Sequence, residues 1–230
     1  MHIGIIGAMK EEVDAIKHHM EISQEVQIAD CHFYKGTIQG NTVTLCQSGI
    51  GKVNAAVSTT LLVQTFSPDM IVNTGSAGGL NEASQVGDVV VADAVQYHDV
   101  DVTAFGYALG QVPGMPAVFS AHPGYSEQAI AIAEKTGLTA RKGIVSSSDS
   151  FMGDATKVQE VKKQFPDVQA VEMEAAAIAQ VCERFNVPFV MIRSLSDIAG
   201  KESNVSFEQF LETASINAAK VIHQFVEGVK

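Results

Sequence analysis

Positive charge is scarce in this chain. Its 230 residues include 15 Lys plus Arg against 26 Asp plus Glu, and the formal net charge is −11. No basic run is longer than the pair Lys162-Lys163. Because nucleic acids and anionic membranes are bound largely through clustered Lys and Arg, neither is expected as a partner.

Cysteine is also rare. The three cysteines, Cys31, Cys46 and Cys182, are odd in number and form no CxxC pair. They lie in or beside apolar segments, which favours buried, reduced thiols and a cytoplasmic location. The first apolar run is too short for a membrane helix and lacks the basic flank of a signal peptide, so the pattern predicts a soluble protein.

Several familiar catalytic motifs are missing. The histidines have no HExxH-like spacing, so neither a metal site nor a metal cofactor is expected. The absence of a GxSxG elbow argues against nucleophilic serine catalysis. The turn Gly4-Ile-Ile-Gly7 lacks GxGxxG spacing and is followed by Glu11 and Glu12, which would repel a pyrophosphate. A dinucleotide site is therefore disfavoured.

Short β-branched runs alternate with longer segments of helical periodicity, which favours one α/β domain over residues 1–230 with a mainly parallel sheet. The predicted strands are 3–6, 43–47, 71–74, 89–95, 143–146 and 189–195. The predicted helices are 11–20, 53–66, 126–136, 174–185 and 207–229. Ser206 with Gln209 has the spacing of a capping box, and Pro123-Gly124 is expected just before a helix.

Acidic residues follow three apolar runs. Glu172 and Glu174 are the only charges in the stretch 170–182, which otherwise has the composition of a buried helix. Glu12 follows the first apolar run, and Asp197 follows the run at 188–192. Because a buried carboxylate is costly unless it is paired, these positions predict one acidic pocket at the carboxyl ends of the strands.

Four segments admit both a structural and a binding interpretation. Residues 48–52 and 73–79 are glycine-rich, and each alone is better explained by close packing or a tight turn. Residues 193–197, taken alone, are typical of a surface loop with an ion pair, but the glutamates near other strand ends favour a site. The irregular stretch 98–121 is long enough to suggest a functional or partner-contacting loop, and Phe105 lies within it.

Taken together, these segments resemble the 5′-methylthioadenosine/S-adenosylhomocysteine nucleosidases over nearly the whole chain. The motifs that carry the resemblance are Gly7-Ala-Met-Lys-Glu-Glu12, Ser48-Gly-Ile-Gly-Lys52, Asn73-Thr-Gly-Ser-Ala-Gly78, Val102-Thr-Ala-Phe-Gly-Tyr107, Val171-Glu-Met-Glu-Ala175 and Arg193-Ser-Leu-Ser-Asp197. The resemblance implies a nucleoside phosphorylase-like α/β fold, a three-layer sandwich whose central mixed sheet is flanked by helices. Two positions depart from the family pattern: Lys10 replaces a common glutamate at an expected exposed loop position, and Ser148 replaces a frequent glycine beside the base-binding backbone.

The resemblance also implies roles at the adenine and at the attacking water. Asp197 would act as general acid at the adenine N7, while Ser196 and the backbone of Phe151 and Met152 hold the base. Glu12 would orient and deprotonate the water. Burial and neighbouring carboxylates would raise the pKa of Asp197, as proton donation near neutral pH requires.

The ribose and its 5′ substituent are implied to contact a second set of residues. Glu174 would accept from the ribose hydroxyls with Met173 packed under the sugar, and Arg193 and Ser76 would place sugar or water. The apolar 5′-alkylthio site would be lined by Met9, Ile50 and Phe207, with Val102 and Phe105 arriving from the neighbouring subunit of a homodimer.

The expected activity is therefore cofactor-free hydrolysis of methylthioadenosine and S-adenosylhomocysteine, extending to 5′-deoxyadenosine. The sequence does not rank these nucleosides or 6-amino-6-deoxyfutalosine as substrates, because all of them share the adenosine half. One alternative is a purine nucleoside phosphorylase, which the three arginines and the acidic N-terminal loop disfavour. A second alternative is a non-catalytic adenine-nucleoside sensor, which would need neither Glu12 nor Asp197.

Overall fold

The computed structural model describes residues 1–229, and within them ten strands, six α-helices and one short 3₁₀ turn at Thr103–Phe105. In chain order the elements are β1 (His2–Gly7), α1 (Lys10–Lys17), β2 (Glu21–Ile28), β3 (Cys31–Ile38), β4 (Asn41–Gln47), α2 (Lys52–Phe66), β5 (Met70–Gly79), β6 (Val89–Tyr97), β7 (Phe119–Ser120), α3 (Pro123–Lys135), β8 (Ala140–Ser147), α4 (Ala155–Gln164), β9 (Val168–Glu172), α5 (Ala175–Phe185), β10 (Phe189–Ile198) and α6 (Ser203–Gly228).

All ten strands belong to one mixed sheet, in which five of the strands close into a ring. The order β10-β6-β8-β9-β5-β1-β4-β3-β2 is joined by a further β10–β5 pairing, so β5, β10, β6, β8 and β9 each have two neighbours in the ring. β1 and β4 extend the sheet in parallel from β5, and the antiparallel β3 and β2 complete it. The ring is the part of the sheet that carries most of the site.

Two apolar layers cover the sheet, one on each face. On one face α2 and α5 pack through residues such as Leu62 and Ile178. On the other, α1, α3 and α6 pack through residues such as Val13, Ala129 and Phe225. Burial of this apolar surface is the main favourable term in folding, and the three-layer α/β architecture expected for the chain is confirmed.

The six predicted strands are confirmed, with longer bounds in several cases. Residues 73–79 are not a turn, because β5 continues through Gly79, and residues 193–197 belong to β10 rather than to a loop. β2, β3, β7, β9 and α4 were not predicted. β2 is exposed over most of its length, so it lacks the alternation of buried and exposed residues that reveals a strand.

The helix predicted over residues 174–185 is confirmed as α5, but residues 170–173, which share its apolar composition, are not helical. Residues 170–172 complete β9, and α5 begins only at Ala175. Both pieces are buried on nearly every side, and a fully buried strand and a fully buried helix have the same unbroken apolar pattern. The break between them places Glu172 at a strand end and Glu174 at the start of a helix.

Two predicted helix starts also need correction. α6 begins at Ser203, so Ser206 lies in its first turn and forms no capping box with Gln209. Pro123 and Gly124 are the first residues of α3 rather than the residues before it. Pro suits this position because its missing N–H has no helical acceptor there.

The state of the cysteines and the length of the helices agree with what the sequence predicted. Cys31, Cys46 and Cys182 are free and buried, which confirms the expected reduced thiols. Across residues 1–229, no helix is both long and apolar enough to cross a membrane. A single domain over residues 1–230 stays a prediction; its support is that strands from both halves of the chain alternate in one sheet.

Candidate active site

A cavity of about 320 Å³ opens at the rim of the five-stranded ring. Its volume falls in the range of small-molecule pockets. The cavity is lined by Ala8, Met9, Glu12, Ile50, Ser76, Ala77, Gly78, Ser150, Phe151, Met152, Val171, Glu172, Met173, Glu174, Arg193, Ser196, Asp197 and Phe207. All twelve residues that the resemblance placed within one subunit's site therefore line one cavity.

The polar residues of β10 reach the cavity through an irregularity in the strand. β10 pairs in parallel with β5, and the register shifts between Leu195, opposite Ala77, and Asp197, opposite Gly78. Ser196 is the extra residue of this bulge. Bulges re-aim side chains, and here both Ser196 and Asp197 face the cavity, although adjacent strand residues normally point to opposite faces.

Glu12 is held by four hydrogen-bond donors. Its Oε2 accepts from the backbone N–H of Ala8 at 2.8 Å and of Met9 at 3.1 Å. Its Oε1 accepts from the backbone N–H of Ser76 at 2.9 Å and from the Ser76 hydroxyl at 3.2 Å. Four donors around two oxygens suit a carboxylate, which accepts hydrogen bonds at both of its oxygens.

The glycine at position 75 makes room for this carboxylate. Its φ is +136°, and a Cβ built there would lie 2.6 Å from the Glu12 Oε1. Any other residue at this position would force Glu12 away from Ser76. Glu11, its neighbour in α1, is exposed and takes no part in the site.

Glu174 lies just before α5 and links three elements. Its Oε1 accepts from the backbone N–H of Gly51 at 2.9 Å, at the N-terminus of α2. Its Oε2 accepts from Arg193 Nη2 at 3.0 Å. Burial raises the pKa of Glu174 to about 7, against the lowering effect of Arg193, while the charges of Glu172 and Glu12 raise it further. Burial and the charge of Arg193 thus act in opposite directions on the ionisation of Glu174.

Arg193 is the cation at the centre of the site. Its side chain is buried and flanked by Glu172, at 2.7 Å from Nη2, and by Glu174. Nη2 also donates to Asn73 Oδ1 at 3.2 Å, and Nη1 donates to the Ser76 carbonyl at 2.8 Å. These contacts fix the plane of the guanidinium. A buried arginine with paired carboxylates is a costly arrangement for stability, which is typical of a functional site.

Asp197 is buried at the end of β10, and its burial favours the protonated form of the carboxyl. Burial raises the pKa of its carboxyl, and hydrogen bonds from Ser196 and Ser203 oppose the shift. The Ser196 hydroxyl donates to Oδ1 at 3.0 Å. A Cβ at Gly78 would lie 3.1 Å from the other oxygen, Oδ2, so glycine on the adjacent strand leaves that oxygen close to backbone.

Apolar and aromatic side chains cover the opposite side of the cavity. Phe151 and Phe207 meet edge to face with ring centroids 5.8 Å apart. Ile50 and Phe151 are each about half exposed, at 49% and 48%. Met152 is buried. This side of the cavity provides an apolar surface that is open to solvent.

Val102 and Phe105 do not line the cavity of their own chain. Both lie in the loop after β6, Val102 half-buried and Phe105 80% exposed. An exposed phenylalanine at this position is costly in water and suits a surface that is covered in an assembly. Their expected contact with a neighbouring subunit stays a prediction.

The two departures from the family pattern lie outside the cavity. Lys10 is exposed as expected, but it is the first residue of α1 rather than part of a loop, and it pairs with Asp14. Ser148 is buried, and its hydroxyl donates to the Ser150 carbonyl and accepts from the Ser150 N–H, each at 3.2 Å. Ser148 therefore shapes the turn that leads to Phe151 without touching the cavity.

Several functional residues were missed by sequence reasoning. Ser147 and Asn73 bind the charged network from neighbouring strands, and Gly51 and Gly75 contribute a backbone N–H and space. Glu172 stood out as a buried charge, but its partners depend on a strand end that the apolar pattern hid. Among residues 1–229, no cluster of His, Cys, Asp and Glu has the arrangement of a metal site.

The fold and the cavity match a known class of protein. The family model described as the phosphorylase superfamily matches residues 2–227. Two curated relatives are both 5′-methylthioadenosine/S-adenosylhomocysteine nucleosidases. That of Anoxybacillus flavithermus is 54% identical over 231 residues, covering 98% of each chain. That of Bacillus subtilis is 49% identical over 234 residues, covering 100% of each chain.

Solved structures agree with this assignment. The crystal structure of the nucleosidase of the same name from Neisseria meningitidis, in complex with methylthio-immucillin-A, is similar with a TM-score of 0.97. The two sequences are 44% identical, and the match covers 99% of each chain. The chain belongs to the 5′-methylthioadenosine/S-adenosylhomocysteine nucleosidase family of the phosphorylase superfamily.

Proposed function

We propose that this protein is a hydrolase that cleaves the N-glycosidic bond of 5′-methylthioadenosine and S-adenosylhomocysteine, releasing adenine and the thioribose. The observation that carries the proposal is one cavity holding a four-fold hydrogen-bonded Glu12 and a buried Asp197 with a raised pKa. Hydrolysis of a glycosidic bond uses one carboxyl group to protonate the leaving group and another to activate water. The same cavity is suited to 5′-deoxyadenosine, which shares the adenosine half.

Asp197 is the proton donor in this proposal. Cleavage leaves negative charge on the departing adenine, and protonation at N7 neutralises that charge. A carboxyl whose pKa is raised by burial keeps its proton to a higher pH than an exposed aspartate does. Ser196 orients the group through its hydrogen bond to Oδ1, and the turn containing Phe151 and Met152 holds the base.

Glu12 is the general base. It orients a water and takes a proton from it as the water attacks the ribose C1′. Because its two oxygens are fixed by the turn between β1 and α1 and by β5, the carboxylate is aimed before the substrate binds. Ser76 and Arg193 complete the water and sugar site, while Glu174 accepts from the ribose hydroxyls over Met173. The negative charges of Glu12 and Glu174 also stabilise the positive charge that develops on the ribose.

A phosphorylase on the same fold is disfavoured by the charges around the attacking position. Phosphate binding needs several positive groups, above all arginines. The one arginine lining the cavity, Arg193, is already paired with Glu172 and Glu174, and Glu12 lies beside it. A phosphate dianion would meet more negative than positive charge there.

Release of adenine from methylthioadenosine is expected to require neither phosphate nor metal. Chromatography of products in phosphate-free buffer, with and without a chelator, measures this directly. Free methylthioribose supports hydrolysis. The prediction would be overturned if methylthioribose 1-phosphate formed when phosphate was added. It would also be overturned if a chelator abolished activity and metal restored it. Tight binding without any product would support the sensor alternative.

The apolar side of the cavity accepts the 5′-alkylthio group in this proposal, through Met9, Ile50 and Phe207. A second subunit completes that site with Val102 and Phe105, which makes the working unit a homodimer. The exposed Val53 and Val57 on α2, about one and two turns beyond Ile50, support an interface on this side of the molecule. We place the enzyme in the cytoplasm, with no organic cofactor, no nucleic-acid partner and no membrane partner.

Phe105→Ala is expected to weaken the use of 5′-alkylthio substrates by about 10- to 100-fold, because burial of one phenyl ring is worth roughly 1.5–3 kcal/mol. The use of bare adenosine should change less, since adenosine lacks the alkyl group that Phe105 would cover. Comparison of kcat/KM for the two substrates checks the prediction. Ile216→Ala is the control, because Ile216 is exposed on α6 and does not line the cavity.

A mixed dimer tests whether Phe105 acts in the other subunit. If it does, a heterodimer of Phe105→Ala with Asp197→Asn has one site with both native groups and one site with neither. Activity should then exceed the summed activity of the two parents at equal total protein. With heterodimer formation verified, no gain over that sum would reject the shared site.

A further inference from the structure

Glu172 lines the cavity, but the proposed reaction gives it no chemical step. Its Oε2 lies 2.7 Å from Arg193 Nη2 in an ion pair and accepts two hydrogen bonds, from the backbone N–H groups of Glu174 at 2.9 Å and Ala175 at 2.8 Å. A single buried oxygen thus joins the cation of the site to the backbone of the ribose-binding residue.

Ser147 holds the other oxygen of the same carboxylate. Its hydroxyl donates to Glu172 Oε1 and accepts from the backbone N–H of Ala176 at 2.8 Å. Ser147 and Glu172 end two parallel strands of the ring, opposite one another in register. Together they satisfy backbone donors at the start of α5, which would otherwise lack helical acceptors.

Stability alone is a poor explanation for this arrangement. A helix start can be capped by an uncharged serine or threonine, whereas Glu172 places a further carboxylate beside Glu12 and Glu174 in a buried region. Burial of an additional ion carries a desolvation penalty of several kcal/mol. The charge therefore has a function that a neutral cap would not supply.

We propose that Glu172, braced by Ser147, is a positioning residue that holds Arg193 and Glu174 in the relative geometry required for catalysis. This inference rests on the proposed hydrolase function. Glu172 is the residue that binds both the guanidinium of Arg193 and the backbone of Glu174, so its loss would release both partners at once.

The charge of Glu172 also acts on the ionisation of Glu174. The groups that face Glu174 are Glu172 from β9, Arg193 from β10, Glu12 from α1 and the Gly51 N–H from α2. Removal of the negative charge at position 172 removes one cause of the raised pKa and leaves Arg193 more fully available to Glu174. The pKa of Glu174 should therefore fall when Glu172 is neutralised.

Two substitutions of Glu172 distinguish the effect of its charge from the effect of its side-chain length. Glu172→Gln keeps the shape and removes the charge, whereas Glu172→Asp keeps the charge and shortens the side chain. We expect kcat to fall about 10²-fold in both variants, with a smaller change in KM, because misplacement of reacting groups by about 1 Å has that effect.

The pH profile distinguishes the two variants. Ionised Glu174 is the form that accepts hydrogen bonds from the ribose hydroxyls, so activity declines as pH falls through the pKa of Glu174. That acidic limb should move to lower pH in Glu172→Gln and stay near the wild-type position in Glu172→Asp.

Ser147 offers a milder test with a matched control on the same strand. Ser147→Ala should lower kcat about tenfold, the effect of one hydrogen bond to a charged group. Ser146 is equally buried, and its hydroxyl has no hydrogen-bond partner among residues 1–229. Ser146→Ala should leave activity unchanged. If Glu172→Gln fails to fold, equal kcat values for Ser147→Ala and Ser146→Ala would still overturn the proposal.

A titration that needs no turnover separates this inference from the proposed function. In protein with ¹³C-labelled glutamate carboxyls, the Glu174 signal is assigned by its loss in Glu174→Gln. Its midpoint should lie at lower pH in Glu172→Gln than in the wild type. Wild-type protein that releases no adenine would reject the hydrolase function, whereas an unchanged Glu174 midpoint, or an unchanged kcat in Glu172→Gln, would reject the positioning role.

Discussion

Asp197→Asn should reduce the release of adenine by about 10²–10⁴-fold, the usual contribution of general acid catalysis. The amide keeps the volume of the side chain, and its carbonyl oxygen can still accept a hydrogen bond from the Ser196 hydroxyl. However, the amide has no proton acidic enough to be donated to adenine. Because burial raises the pKa of Asp197, wild-type activity should be lost as pH rises through that pKa. The residual activity of the variant should lack this basic limb.

The measurement is the initial rate of adenine release over a range of pH, with thermal unfolding as a check on the fold. Asp30→Asn, an exposed change of the same type, is the control. If Asp197→Asn retained most of the wild-type rate, Asp197 would not be the proton donor.

Glu12→Gln should abolish hydrolysis while nucleoside binding persists. The amide can still hold a water but cannot take its proton, and a loss at least as large as about 10²–10⁴-fold is expected. The structure adds a cost to stability. Whichever way the amide is turned, its NH₂ group meets backbone N–H donors, either those of Ala8 and Met9 or that of Ser76. Because two donors then face each other with no acceptor between them, the free energy of unfolding should fall by about 1–3 kcal/mol.

Calorimetry with methylthioadenosine separates binding from turnover in this variant. Glu11→Gln is the matched control, because Glu11 precedes it on the same helix and is exposed. Loss of binding together with activity, in protein that still unfolds cooperatively, would make Glu12 a substrate ligand instead of the general base.

The α/β architecture was predictable because its signals are local. The apolar runs that became β1, β4, β5, β6, β8 and β10 are short and β-branched, and the segments between them have helical periodicity. β9 was misassigned because its buried residues continue without a break into α5. β2 was missed because most of its side chains are exposed.

The residues that line the cavity were predictable, but the contacts between them were not. Acids after apolar runs indicated one pocket, and Glu12, Glu174 and Asp197 do line the same cavity. The bulge at Ser196 depends on pairing with a strand more than a hundred residues away, which no local pattern encodes. The bonds from Glu172 to Arg193 and from Glu174 to Gly51 are likewise long-range.

The residues that line the cavity come from two kinds of backbone: strands of the closed ring on one side, and turns and a helix start on the other. Ser76, Arg193 and Asp197 are on ring strands, and each such strand is hydrogen-bonded on both sides. Ile50 and Phe151 come from turns, and Phe207 comes from the first turns of a helix, so these residues can shift without breaking a strand ladder. In the proposed binding orientation, the glycosidic bond contacts the strand residues, whereas the 5′ end of the ligand contacts the turns. Substrates that differ only in the 5′ substituent can therefore share one catalytic geometry, because the turns can adjust to the size of that substituent.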